Sequence, residues 1–202
     1  MPEPVRRIVI ATHNRHKTGE FRELLGSGWE VEDLKDHPGL GSPEETGETF
    51  EENAAIKALA AAAELGPEVL VVADDSGLEV DALGGRPGVY SARYAGEGAG
   101  DGENLAKVLG ELAAAGVSGE ARSARFRCVL VVARGREVLG VFDGAVEGRL
   151  AEEARGSGGF GYDPAFVPEG ETGTFGELPA AVKHGMSHRS RAVGNLVAWL
   201  GS

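Results

Sequence analysis

The stretch Val69-Leu70-Val71-Val72-Ala73-Asp74-Asp75-Ser76-Gly77 runs an unbroken apolar segment straight into two acids. An apolar run of this length, bounded upstream by Gly66-Pro67, reads as a strand buried on both faces, and its expected span is Val69 to Ala73. Two carboxylates at the carboxyl end of such a strand stand where open α/β sheets hold ligands. Placing them there is costly unless a hard cation or hydrogen-bond donors neutralise them.

Working upstream, Thr49 and Glu52 have the spacing of a capping box, and the alanine-rich body from Ala54 to Leu65 continues the helix to its stop at Gly66. Val5 to Ala11 reads as a first strand, followed by a Thr-His-Asn turn. A helix from about Lys17 follows, with Phe21, Leu24 and Leu25 on one face and Gly26 at its end. Trp29 to Leu34 forms a second strand, and the polar stretch from Asp36 to Glu48 forms a loop.

Downstream of the acids, Leu105, Val108, Leu109 and Leu112 make the stripe of an amphipathic helix opened by Asp101. Ala124 to Ala133 and Glu137 to Val146 fit an antiparallel hairpin turning at Arg134-Gly135-Arg136, so the sheet is mixed. A glycine cluster from Gly156 to Gly161 precedes Tyr162-Asp163-Pro164, and a helix from His188 to Leu200, N-capped by Ser187, closes the chain. With no internal repeat and no long linker, residues 1–202 form one α/β domain.

Composition narrows the partners. Twenty Lys plus Arg against thirty-two Asp plus Glu leave a net charge of −12. That argues against a nucleic-acid polymer, whose binding rests on clustered cations. A single cysteine, Cys128, excludes an internal disulfide and a thiolate zinc site, and reads as a small core residue in a reducing compartment. No apolar run reaches membrane-spanning length and the amino terminus lacks a signal-peptide core, so a soluble cytoplasmic protein is expected. Glycine, at 32 of 202 residues, is about twice its usual share of roughly 7%. Its interleaving with patterned segments points to tight turns near ligands.

Four segments could carry chemistry. Thr12-His13-Asn14-Arg15-His16-Lys17 lies where the first strand meets the first helix, so helix-start N–H groups and Lys17 could receive an anion; a helix cap with solvated bases is the plainer reading. Asp74 and Asp75 suit magnesium bound through carboxylates and substrate phosphates, against a turn cap plus a solvated acid. Glu44 and Glu45, in the acidic loop, are further candidate ligands. Phe160, Gly161, Tyr162 and Asp163 could let the backbone approach a planar ring while an aromatic stacks on it, and Lys183, His188 and Arg189 bring donors to the last helix start. Together these suit a metal nucleoside polyphosphate. A P-loop enzyme is excluded for want of Gly-x-x-x-x-Gly-Lys-Ser/Thr.

In these segments, together with Glu44-Glu45-Thr46-Gly47-Glu48-Thr49-Phe50, Asn53-Ala54 and Pro87-Gly88-Val89-Tyr90-Ser91-Ala92-Arg93-Tyr94, the chain resembles the inosine/xanthosine triphosphate pyrophosphatase family from about Ile8 to Leu200. The resemblance implies an elongated mixed sheet flanked by helices, two lobes with a central active-site cleft, and a cytoplasmic homodimer. It implies hydrolysis of ITP, dITP and XTP to monophosphate and pyrophosphate with Mg²⁺, keeping these nucleotides out of DNA and RNA. Carried over, Thr12 to Lys17 cradle the triphosphate, Asp75 is general base and metal ligand with Glu44 or Glu45, and Ser76 contacts substrate. Phe160 to Asp163, Lys183, His188 and Arg189 surround base and sugar. Arg15-His16 and His184-Gly185-Met186 depart from the family pattern without removing a motif residue. A pyrophosphatase for modified pyrimidine nucleotides and a non-catalytic purine nucleotide sensor are the alternatives.

Overall fold

A computed structural model describes residues 6–201. Val5, included in the first predicted strand, lies outside the described residues. The chain folds as six strands, β1 (Arg6–Ile10), β2 (Trp29–Asp33), β3 (Leu70–Val80), β4 (Ser123–Arg134), β5 (Glu137–Leu150) and β6 (Phe166–Pro168). Five α-helices accompany them: α1 (Arg15–Leu25), α2 (Phe50–Leu65), α3 (Asp101–Ala114), α4 (Ala180–Met186) and α5 (His188–Leu200). The strands form one sheet in the order β2-β1-β3-β4-β5-β6. β1 pairs in parallel with both β2 and β3, whereas β5 and β6 are antiparallel, so the sheet is mixed as expected.

Contacts divide the chain into two compact units. The first comprises the residues up to Asp75, Cys128–Asp143 and those from Ser190 onward; the second comprises Ser76–Arg127 and Gly144–Arg189.

In the first unit, strand alternation sorts side chains into two layers. Ile8, Ile10, Leu70, Val72, Leu130 and Val132 pack with Phe21 and Leu25 of α1 and Ala192, Val193 and Leu196 of α5. Val9, Val71, Ala73, Val131 and Ala133 pack instead with Ala54, Ala58, Ala61 and Ala62 of α2. Alanines at this spacing make one smooth helix face. The predicted capping box is present: Thr49 Oγ1 accepts from Glu52 N at 3.1 Å, and Glu52 Oε2 accepts from Thr49 N at 3.2 Å.

The second unit is built round Leu78, Val80, Leu105, Val108, Leu112, Phe126, Phe166 and Phe175. The predicted stripe of α3 points into it, with Leu109 at its margin. Where the sequence reading ended the acidic strand at Ala73, β3 continues to Val80. Leu78 and Val80, both fully buried, prolong the alternation beyond the acids, so Asp74 and Asp75 lie within the strand and not at its end.

Candidate functional site

Because successive residues of a strand point to opposite faces, the two adjacent acids separate. Asp74 follows Leu70 and Val72 toward the α1 side, and Asp75 follows Val71 and Ala73 toward the α2 side. Their partners agree. The Asp74 Oδ1 atom is bonded to Lys17 Nζ, from α1, and its Oδ2 accepts from Cys128 Sγ at 3.0 Å. Asp75 Oδ1 accepts from Lys57 Nζ, from α2, at 2.8 Å, and the same ammonium lies 3.2 Å from Glu45 Oε1.

Asp75 keeps one oxygen in reserve: its Oδ2 is buried and accepts no hydrogen bond among the described residues. Burial pushes the Asp75 carboxyl above its ordinary value, and Lys57, with help from Lys17, pulls it back only in part. Burial likewise opposes the charge on Lys57, but Asp75 and Glu45 outweigh it and hold that ammonium above its usual range. A carboxylate so placed is a proton acceptor whose basicity is raised while its geometry is fixed.

No cluster of three or more His, Cys, Asp or Glu side chains arranged for a metal occurs among the described residues. Magnesium needs no such cage, since it is commonly held by one or two carboxylates plus substrate phosphates. The orphaned Asp75 Oδ2 and the nearby Glu45 carboxylate are oxygen donors of that kind, so the residues fit the ion. Glu44, by contrast, is exposed, and Glu45 is the member of the acidic pair brought to Lys57.

Asn14 organises the first helix start as its N-cap, with Oδ1 accepting from His16 N at 2.9 Å and Lys17 N at 3.3 Å. Thr12 Oγ1 in turn accepts from Asn14 N at 3.1 Å. The two helix N–H groups that the sequence reading offered to an anion are thus already bonded to Asn14. His13, Asn14, Arg15 and His16 are exposed, and Lys17 is partly buried.

The second unit holds a separate constellation. Lys183 Nζ and Asp163 Oδ2 form a buried ion pair at 2.7 Å, and the same oxygen accepts from Phe160 N at 2.8 Å. The ammonium also lies 4.8 Å from the Phe160 ring centroid, within cation–π range. Gly159, at φ +71°, is required here, because a β-carbon would stand 2.1 Å from Asp163 Oδ2. Gly161 N donates to Asp101 Oδ2 at 2.8 Å, which ties the glycine loop to the start of α3.

Arg189 is almost fully buried at 1% exposure; its Nη2 donates to Ser76 Oγ at 3.0 Å, and its guanidinium lies 5.9 Å from the Phe160 centroid. Ser76 is the next residue in the chain after Asp75.

Two further candidates are buried among core side chains. Tyr162 is a core residue whose hydroxyl donates to Ser91 O at 2.8 Å, and burial raises its phenol. His188 stacks on Phe126, with centroids 4.9 Å apart and planes 15° from parallel.

Lys57, which the sequence reading does not single out, is brought to Asp75 and Glu45. Its signal was an isolated lysine in an alanine helix, one turn beyond Asn53 and so on the same face. Asn53 is fully buried and its Oδ1 accepts from Gly47 N at 2.8 Å, anchoring the loop that carries Glu45. Cys128, read as a plain core residue, is indeed buried and also serves Asp74.

Comparison with known proteins supports the family resemblance. A dITP/XTP pyrophosphatase of Bacillus licheniformis is 48% identical over 197 residues, covering 97% of this chain and 98% of its own length. One of Bacillus subtilis is 48% identical over 193 residues, covering 95% and 96%. Among solved structures, the Staphylococcus aureus Ham1 protein superposes with a TM-score of 0.84 at 41% identity, covering 97% of this chain and 98% of its own. A Mycobacterium abscessus nucleoside-triphosphatase, also named dITP/XTP pyrophosphatase, gives 0.75 at 40% identity, covering 94% and 98%. The Ham1 family model matches residues 8–199, and the chain belongs to the Ham1 family.

Proposed function

We propose that this protein is a nucleoside triphosphate pyrophosphatase that hydrolyses the non-standard purine nucleotides dITP, ITP and XTP to the monophosphate and diphosphate. The observation that carries the reading is Asp75, a buried carboxylate with one oxygen held by Lys57 and the other without a hydrogen bond. Its support from outside the chain is the set of relatives named dITP/XTP pyrophosphatase.

In the reaction, water attacks the α-phosphorus, the bond from that phosphorus to the bridging oxygen breaks, and diphosphate leaves. Asp75 Oδ2 takes the proton of the attacking water, while Lys57 keeps the carboxylate oriented and resists its rotation. Lys17 offers positive charge to the departing diphosphate. Magnesium, when bound, supplies Lewis-acid neutralisation of the phosphates, and Asp75 with Glu45 would hold it.

Base selection falls to the second constellation. Hypoxanthine and xanthine carry a carbonyl at C6 where adenine carries an amino group. Donors such as Arg189 and loop backbone N–H groups match the carbonyl and not the amino group, and a site that hydrogen-bonds one and not the other can discriminate by about 10⁴-fold. Phe160, partly exposed beside Lys183 and Arg189, offers a ring face for stacking.

The protein acts as a homodimer in the cytoplasm. Both the dimer and the compartment rest on the family resemblance; among the described residues no helix is long and apolar enough to cross a membrane. Sedimentation velocity tests the dimer.

The deciding experiment is diphosphate release across dITP, ITP, XTP, the common triphosphates and modified pyrimidine triphosphates, with and without Mg²⁺. Metal-dependent release from the deaminated purines is expected. Release of orthophosphate overturns α–β cleavage, preference for the pyrimidines overturns the base assignment, and intact dITP leaves a nucleotide sensor.

A further inference from the structure

We propose that the two adjacent acids divide their work: Asp74 is a positioning residue for Lys17, clamped on its far side by the Cys128 thiol. This rests on the reading above that Lys17 faces the phosphates. Asp74 is 2% exposed, and its side chain is turned away from the Lys57 and Glu45 group by the alternation of β3. Both of its oxygens are engaged, one by the Lys17 ammonium and one by Cys128 Sγ. That differs from Asp75, whose Oδ2 is available.

A carboxylate in an apolar layer is expensive to desolvate, so two donors aimed at it also fix its orientation. The lysine gains most from this arrangement. Its four-carbon stem has many rotamers, and a bond to a fixed carboxylate selects those that place the ammonium above the end of α1. An ammonium has three donors, so the bond to Asp74 leaves two for a phosphate. The Lys17 side chain is 17% exposed, against 0% for that of Asp74: the acid is anchored inside and the base reaches the surface.

The test is a double-mutant cycle on diphosphate release from dITP, with fold checked by circular dichroism. Asp74→Asn in the wild-type background is expected to lower kcat by about 10- to 100-fold, the scale of a misplaced catalytic group. In the Lys17→Ala background the same change is expected to cost less than about threefold, because an acid that acts through Lys17 has nothing left to position. Equal losses in both backgrounds, or a wild-type kcat for Asp74→Asn, overturn the proposal.

Should Asp74→Asn not fold, Cys128 decides. Cys128→Ala removes the donor and Cys128→Ser retains one, so kcat should fall in the first and recover in the second even where both melt lower. Identical kcat in the two overturns the clamp. Should the wild type leave dITP intact, it is the activity that fails, and the same cycle is read in dITP affinity by calorimetry, with additivity again the overturning result.

Discussion

Lys57 Nζ lies 2.8 Å from Asp75 Oδ1, and Asp75 Oδ2 is buried with no hydrogen bond among the described residues. The pair joins the second turn of α2 to the middle of β3, and Glu45 joins it from the preceding loop. The arrangement keeps one carboxylate oxygen fixed and the other reactive. Lys57→Met is expected to lower kcat for dITP by about 100-fold while retaining the fold, since it frees the carboxylate to rotate and removes its charge partner. Steady-state kinetics beside a thermal melt checks it; unchanged kcat would remove Lys57 from the site.

Asp75→Asn keeps the shape of the side chain and its contact with Lys57 but removes the proton acceptor. Turnover should fall by at least about 10²-fold, the lower range for loss of a general base, with a much smaller change in dITP affinity. Single-turnover kinetics together with calorimetric titration separates the two effects, and a wild-type rate would sink the base assignment.

How far the sequence foretold this site depends on the element. The capping box of α2, the stripe of α3 and the apolar run of β1 are local patterns, and each formed an element where the residues indicated, β1 over Arg6–Ile10. The acids were found as residues but misplaced as structure. Val69 to Ala73 is apolar on both faces and Ser76-Gly77 resembles a turn, so local chemistry ended the strand. What extends it is the second unit's core, which takes Leu78 and Val80, and distant side chains that neutralise the acids. Lys57 was hidden for the same reason: its partner is 18 positions away, and an exposed lysine and a buried one look alike in sequence. The pairing of Lys183 with Asp163, across 20 positions, was named only as two neighbours of one base.

That ion pair sets a stability prediction. Lys183 and Asp163 are both buried, so Lys183→Met would leave the Asp163 carboxylate buried without its Lys183 ammonium, at a cost of about 3–5 kcal/mol. Urea unfolding measures it. The double variant Lys183→Met with Asp163→Leu should recover part of the loss, because an apolar pair no longer carries a buried charge; a loss below about 1 kcal/mol in the single variant would show the pair to be solvated.

On the proposed reading, Arg189 is the donor that sets base selectivity. Removing its guanidinium by Arg189→Ala removes its bond to Ser76 and takes away a donor for a C6 carbonyl, so the preference for ITP over ATP should narrow by about 10-fold or more. The ratio of kcat/KM for the two nucleotides is the measurement, since a general loss of stability lowers both alike. An unchanged ratio counts against carbonyl recognition by Arg189.

Asp33 gives the fold a defined pH dependence. It is 5% exposed and accepts from Thr18 Oγ1 at 2.8 Å and from Lys35 N at 2.9 Å. Burial pushes its carboxyl up, but the Thr18 and Lys35 hydrogen bonds, with the positive charges of Lys35 and Arg22, outweigh that and hold it below the ordinary range. A depressed carboxyl stabilises the fold fully above its unfolded value, and that contribution is lost as pH falls through the folded value. Asp33→Asn should therefore cost about 1–2 kcal/mol near neutral pH, and the difference from wild type should shrink below about pH 4 as both side chains become neutral. Urea unfolding of both proteins from pH 7 down to pH 3 reads the two curves, and a gap that stays constant over that range would mean that the ionised form of Asp33 contributes nothing.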